Sequence, residues 1–209
     1  MKEFVTIAGD EYTHENVIEK SRFIASAIRA DTAEQAMEFV EQKRKSYYDA
    51  THNCYAYIVG DKAKFSDDGE PQGTAGMPMY ECIKANNLDC VCVVVTRYFG
   101  GVKLGAGGLV RAYGGAAADV LRKCARVTMR LCRNAEVTVE YSMLKILRKA
   151  MSGVAVERNA VYADKVTLHY LILSELSHTI CNIVSQSTLG KGQIKIFDEF
   201  LSAYDGEAW

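Results

Sequence analysis

Proline is almost missing from this chain, at two residues in 209. So few breakers exclude Pro-rich linkers between its parts. No run of about 18 apolar residues occurs, so no transmembrane helix is expected. The opening stretch MKEFVTIAGDEYTHE brings acids early and no long apolar segment after them. That is not the pattern of a secretory leader, and it predicts a cytoplasmic protein. An excess of one charge is also missing: the formal net charge is −1, which singles out no partner. There is no Cys-x-x-Cys, no Gly-x-Ser-x-Gly and no His-Glu-x-x-His, so the common signatures of thiol redox, serine hydrolase and zinc protease chemistry are absent.

What is present is the composition of a folded protein, 49% hydrophobic and 24% charged, against disorder. The length suffices for one large domain or two small ones. Seven cysteines lie among apolar neighbours and read as reduced, buried thiols. Cys90 and Cys92 would share one face of a strand.

Periodicity orders the chain. Residues 21–30 alternate as a strand. Asp31 or Thr32 can cap a helix carrying Ala36, Phe39, Val40 and Lys43. Residues 52–60 form a strand, followed by the polar stretch FSDDGEPQGTAG, a loop by composition. Thr74 can cap a helix running to Asn87. Residues 89–96, DCVCVVVT, make the strongest strand, apolar on both faces as a central strand covered by helices would be. A glycine-rich loop leads from it into a helix with Leu109, Tyr113, Ala116, Ala117, Val120, Leu121 and Cys124 on one stripe. Gly114 and Gly115 inside that helix imply a close approach to its backbone. From Arg133 the pattern restarts: strand 135–141, a helix capped by Ser142 and stopped by Gly153, strands 155–162 and 166–173, a helix capped by Ser174, and strand 194–201. That order is βαββαβ, the ferredoxin-like split unit. The expected fold class is α+β, a two-domain α/β sandwich with domains at 1–132 and 133–209.

Three segments carry the candidate chemistry. His52 opens the second strand, either as a hydrogen-bonding edge residue or as part of a site. Asp67, Asp68 and Glu70 crowd the loop. They can bind Mg²⁺ through oxygen ligands, hold arginines, or form a solvated turn. Gly73 and Thr74 open a helix whose free N–H groups can take an anion. The third segment, RYFGGVKLGAGGLVR, offers Arg97, Lys103 and Arg111 as cations and Tyr98 and Phe99 as stacking faces. Gly100, Gly101, Gly105, Gly107 and Gly108 allow close backbone approach. It suits phosphate, nucleotide or RNA backbone, yet matches neither the P-loop nor the dinucleotide fingerprint. Between Arg97 and Arg133 eight basic residues face one acid, Asp119, a local charge of +7, as on a polyanion-binding face.

The segments KSRFIA, THNCYAY, DDGEPQGTAGMP and VVVTRYFGGVKLGAGGLVRAYGG resemble the signature stretches of the YigZ/IMPACT family. The resemblance covers residues 1 to about 130. The remainder resembles the C-terminal domain of bacterial members, akin to domain V of elongation factor G. The resemblance implies a first domain similar to elongation factor G domain IV and to the N-terminal domain of GHMP kinases. It also implies a role in regulating translation, as in eukaryotic relatives, which carry an extra N-terminal domain. The leading expectation is therefore a translation-associated binding protein contacting the ribosome, RNA or another phosphate-rich partner, without a catalytic residue. The alternatives are a Mg²⁺-dependent enzyme acting on a phosphorylated small molecule, and a purely structural pairing of the acidic and glycine loops.

Overall fold

The computed structural model describes residues 3–204. They form two compact units that divide between Val127 and Thr128. The first unit holds β1 (Glu3–Ile7), β2 (Glu11–Ile18), β3 (Ser21–Arg29), α1 (Ala33–Ser46), β4 (His52–Val59), β5 (Lys62–Ser66), α2 (Gly76–Ala85), β6 (Val91–Tyr98) and α3 (Gly105–Lys123). Its sheet runs β2-β3-β6-β4-β5, with every neighbouring pair antiparallel. β6 is central, so both its faces are covered. Val91, Val93 and Val95 pack with Met79, Ile83 and Tyr113 of α2 and α3. Cys92 and Val94 pack with Phe39 and Val40 of α1. The alternating strand residues thus feed two cores, one on each face of the sheet.

The helix boundaries follow from local chemistry. Thr32 Oγ1 accepts the Gln35 N–H at 3.2 Å, and Gln35 reaches back to the Asp31 N–H at 2.7 Å, so α1 begins where a polar side chain can satisfy free N–H donors. Its buried face includes Lys43, whose ammonium pairs with Glu11 and lies 5.2 Å from the Phe39 ring. The close approach expected at the glycines of α3 exists at Gly114, where an added Cβ would sit 3.6 Å from Pro78 of α2; nothing approaches Gly115 within 4 Å.

The second unit is built on β7 (Arg126–Val139), α4 (Tyr141–Met151), β8 (Ala155–Tyr162), β9 (Val166–Leu173), α5 (Ser177–Ser187) and β10 (Gln193–Ala203). Four strands of its five-stranded sheet run in the order β10-β7-β9-β8, all antiparallel, which is the order a βαββαβ split unit produces. Ala135, Val137 and Val139 of β7 and Leu168, Tyr170 and Ile172 of β9 pack with Leu147 and Met151 of α4 and Ile180 and Val184 of α5.

Several expectations need correction. Residues 3–18 and 62–66 gave no strand signal, yet form β1, β2 and β5. These strands are short or carry polar residues on their exposed face, so their alternation is weak in apolar terms. Thr74 does not cap α2: its hydroxyl donates to the Pro71 carbonyl at 2.6 Å, and Ala75 occupies the cap position. Ser142 lies inside α4, after Glu140 at the cap. Ser174 opens a 3-10 turn instead of α5, and its hydroxyl bonds Glu199 and Arg133. The division at Val127 falls near the start of β7, whereas position 133 lies within that strand. All seven cysteines are free, five buried and two half-buried, and burial pushes the Cys90 and Cys124 thiols up to about 11. No helix among the described residues is long and apolar enough to cross a membrane.

Thr32→Ala removes the α1 cap and should cost about 1 kcal/mol of stability, read as a lower urea midpoint with an unchanged slope.

Candidate functional site

The acidic loop between β5 and α2 is held from within. Asp67 accepts three backbone N–H bonds, from Gly73 (2.8 Å), Ala75 (3.0 Å) and Gly76 (2.8 Å). Burial raises its pKa, but those three donors outweigh the burial and leave it below the ordinary carboxylate value, as N–H donors to an anion do. The N–H cluster at Gly73 and Gly76 does hold an anion, and that anion is the chain's own carboxylate. Asp68 takes the Asn53 N–H at 2.7 Å and the Arg44 guanidinium at 2.9 Å. Its carbonyl oxygen lies 2.8 Å from His52 Nδ1. A carbonyl only accepts, so Nδ1 carries the proton and Nε2 faces Glu70 at 3.8 Å.

Glu70 and Arg97 form the centre. Their side chains are 4% and 5% exposed, with Nη1 2.6 Å from Oε1. Tyr113 donates its hydroxyl to the same oxygen at 2.8 Å, and Arg97 Nη2 donates to Ser21 Oγ at 3.2 Å. The guanidinium also lies between two rings, 5.4 Å from Phe23 and 5.5 Å from Phe99, a placement that suits a delocalised cation. One arginine therefore ties β6 to β3, to α3 and to the acidic loop.

Beside this pair opens a groove of about 360 Å³, lined by Glu70, Arg97, Phe99, Lys103, Gly105 and Leu109 among others. Phe99 is 48% exposed. Lys103 is exposed as well. α3 starts here with no acid in its first turn and no side-chain cap on its N–H groups. Arg111 lies six residues into α3, outside the groove's lining, its Nη1 3.6 Å from where a Cβ of Gly107 would be. Lys103 and Arg111 make no ion pair among the described residues.

The other glycines shape the backbone. Gly101 and Gly105 take φ of +85° and +69°. An added Cβ at Gly100 would fall 2.0 Å from the Lys20 carbonyl carbon, and at Gly108 3.0 Å from the Leu104 side chain. Tyr98 points to other partners: its hydroxyl bonds Asp49 at 2.8 Å and its ring carries Arg22 at 5.6 Å.

Two sequence expectations change shape here. Asp67, Asp68 and Glu70 do not converge: each carboxylate meets separate internal donors, and no cluster of three or more acidic, His or Cys side chains suited to a metal occurs among the described residues. The basic stretch is also partly neutralised. Arg122 pairs with Asp119 and Arg133 with Glu199, while Lys123 and Arg126 hydrogen-bond His14 and Asn86, which carry no negative charge. Sequence reasoning missed Ser21, Phe23 and Tyr113 as partners of Arg97 and Glu70. Tyr113 falls on the apolar stripe of α3, and nothing in that spacing marks its hydroxyl as engaged.

The family model for the Impact N-terminal domain matches residues 19–121, a span that contains every group around the Glu70–Arg97 pair. The chain is 40% identical over 186 residues to IMPACT family member YvyE of Bacillus subtilis, covering 87% of this chain and 86% of that one. The chain belongs to the IMPACT family. It is also similar to IMPACT family member YigZ of Escherichia coli, at 45% identity over 111 residues, 51% of this chain and 54% of that one. A family member from Thermus thermophilus is 51% identical over 113 residues, 54% and 62% of the two chains. Among solved structures, a crystal structure of an hypothetical protein is 30% identical with a TM-score of 0.63, covering 95% of this chain and 98% of that one.

Arg97→Ala leaves Glu70 buried without its cation and should cost about 3–5 kcal/mol, measured by denaturant unfolding. Asp67 contributes stability that is fully present above the ordinary aspartate value of 3.8 and is lost as pH falls through its lower folded pKa. Asp67→Asn should lower the melting temperature at neutral pH, and the gap to the parent protein should narrow as the acid limb is descended.

Proposed function

We propose that this IMPACT family protein is a translation-associated binding protein that takes a phosphate-rich surface, ribosomal RNA foremost, on the groove at the start of α3. One observation carries the reading. The uncapped, acid-free N-terminus of α3 opens beside exposed Lys103 and Phe99, and exposed Arg111 follows on the same helix. Free N–H groups and unpaired cations attract phosphate, and an exposed ring offers a stacking face to a base. The buried pair beneath supports this role by fixing the loop, which lowers the ordering cost of binding. The family resemblance points the same way, towards translation, and a cytoplasmic location belongs to the same reading. Arg97 serves here as a support of the groove, while Lys103 and Arg111 meet the ligand.

Co-sedimentation with ribosomes over a range of salt tests this. Association should weaken steeply as salt rises, because each phosphate contact releases counterions. Lys103→Ala/Arg111→Ala should lose it while melting at the parent temperature. Absence of association at low salt, or association indifferent to salt, would sink the proposal.

A further inference from the structure

The groove at the start of α3 offers an acceptor as well as a cation. Glu70 lines it together with Phe99, Lys103 and Gly105. The Glu70 side chain is 4% exposed, and its two oxygens are unequally engaged. Oε1 accepts from Arg97 Nη1 at 2.6 Å and from the Tyr113 hydroxyl at 2.8 Å. Oε2 accepts no hydrogen bond among the described residues. Nor is Oε2 sealed within protein; it keeps solvent access on a residue that lines the groove. A carboxylate oxygen so nearly buried normally has a donor.

Nothing close by supplies one. Arg97 Nη2 is turned to Ser21 Oγ. His52 Nε2 lies 3.8 Å from Oε1, but its ring proton is on Nδ1, facing the Asp68 carbonyl. A ligand that completes the groove therefore brings a hydrogen-bond donor of its own. A phosphodiester is anionic and carries no proton at neutral pH, so the backbone phosphate alone does not suffice. The bases carry donors, but these differ from one base to the next, whereas stacking on a ring such as Phe99 is indifferent to the base. The donor that every ribonucleotide shares, one bond away from the phosphate-bearing carbon, is the ribose 2′-hydroxyl. The paired Arg97 offsets the charge of Glu70, so the carboxylate does not drive a phosphate away from Lys103.

We propose that Glu70 Oε2 accepts the ribose 2′-hydroxyl of a nucleotide whose phosphate sits at Lys103 and the free N–H groups of α3, so that the groove selects RNA over DNA. The proposal rests on the reading of this groove as a phosphate-binding surface and adds a discrimination which that reading does not require. A deoxyribose leaves Oε2 stripped of water and without a donor, and sites built around a hydroxyl reject the analogue that lacks it for this reason.

The test is fluorescence anisotropy of the whole chain with a short labelled oligouridine in three forms, ribose, 2′-deoxyribose and 2′-O-methylribose, at one low salt concentration. The ribose form should bind about tenfold more tightly than the deoxyribose form, the size of one hydrogen bond to a charged group. The 2′-O-methyl form keeps the oxygen and removes the donor, and it should bind as the deoxyribose form does. Lys103→Ala should weaken all three by a similar factor, since all three share the phosphate. Glu70→Asp keeps the charge for Arg97 and withdraws the oxygen; on protein shown by melting to be folded, ribose affinity should fall to the deoxyribose level and deoxyribose affinity should hold. If that variant does not fold, the three ligands on the parent protein still decide. Equal, salt-sensitive binding of ribose and deoxyribose forms would overturn this proposal and leave the phosphate-binding reading standing. So would 2′-O-methyl binding equal to ribose, or a folded Glu70→Asp that keeps the preference. No binding of any form at low salt would remove the reading and the proposal together.

Discussion

The first unit depends on one buried ion pair. Arg97 and Glu70 are removed from water together, and neither could be left there alone, since an isolated buried charge costs far more than a paired one. Each brings further obligations. Glu70 needs donors and finds Tyr113 on α3 and Arg97 on β6, both at Oε1. Arg97 needs acceptors and aromatic faces and finds Ser21 and Phe23 on β3 and Phe99 beyond β6. Satisfying two charges therefore fixes the relative positions of two strands, a helix and the acidic loop, which no hydrophobic pattern would specify. A well-packed apolar replacement can be as stable as a buried pair. What the pair adds is direction: hydrogen bonds have angles, and oil does not.

This gives the charged residues of the two loops different duties. Buried Glu70 and Arg97 neutralise each other, while half-buried Asp67 and Asp68 bind backbone N–H groups and, for Asp68, the Arg44 guanidinium. Those that stay outside remain unpaired, Lys103 in the lining of the groove and Arg111 farther along α3. The interior set makes the surface set possible, because a glycine-rich loop without internal anchors would have to be ordered by its ligand, at the expense of affinity. Gly100 belongs with the anchors: its backbone passes so near Lys20 that no side chain fits, and its N–H donates to the same Ser21 hydroxyl that serves Arg97.

The elements that sequence made legible are those whose signal is apolar and periodic. β6, with its run of valines and cysteines, and α3, with its stripe, stand out because both bury apolar surface at a regular period. β8 and β9 match the residues expected from pattern alone. The ferredoxin-like order was readable because strand and helix alternate with glycines at the stops; Gly153 indeed takes φ +78° after α4. Edge strands escaped because half their residues face water and half are polar: β2 buries no residue fully. The site was legible as a set of residues and illegible as a set of pairings. Asp67, Asp68 and Glu70 sit within four positions, yet their partners come from residue 44 on α1, from the turn at 73–76, and from residues 97 and 113. Adjacency along the chain says nothing about which donor each oxygen will meet. The serines expected as caps show the same limit, since Ser174 was drawn away to Glu199 and Arg133, groups distant in sequence.

Asp67 carries one further implication. The N–H cluster it occupies has the makings of a phosphate cradle, but its occupant is tethered only six residues away from the first donor. A tethered group acts at an effective concentration on the order of millimolar or higher, and it never diffuses off. Any free phosphate competing for that cradle meets a rival already in place, so selectivity is built in by occupancy: soluble anions are turned away from the turn at Gly73 and remain available to the uncapped end of α3, where no side chain competes with them.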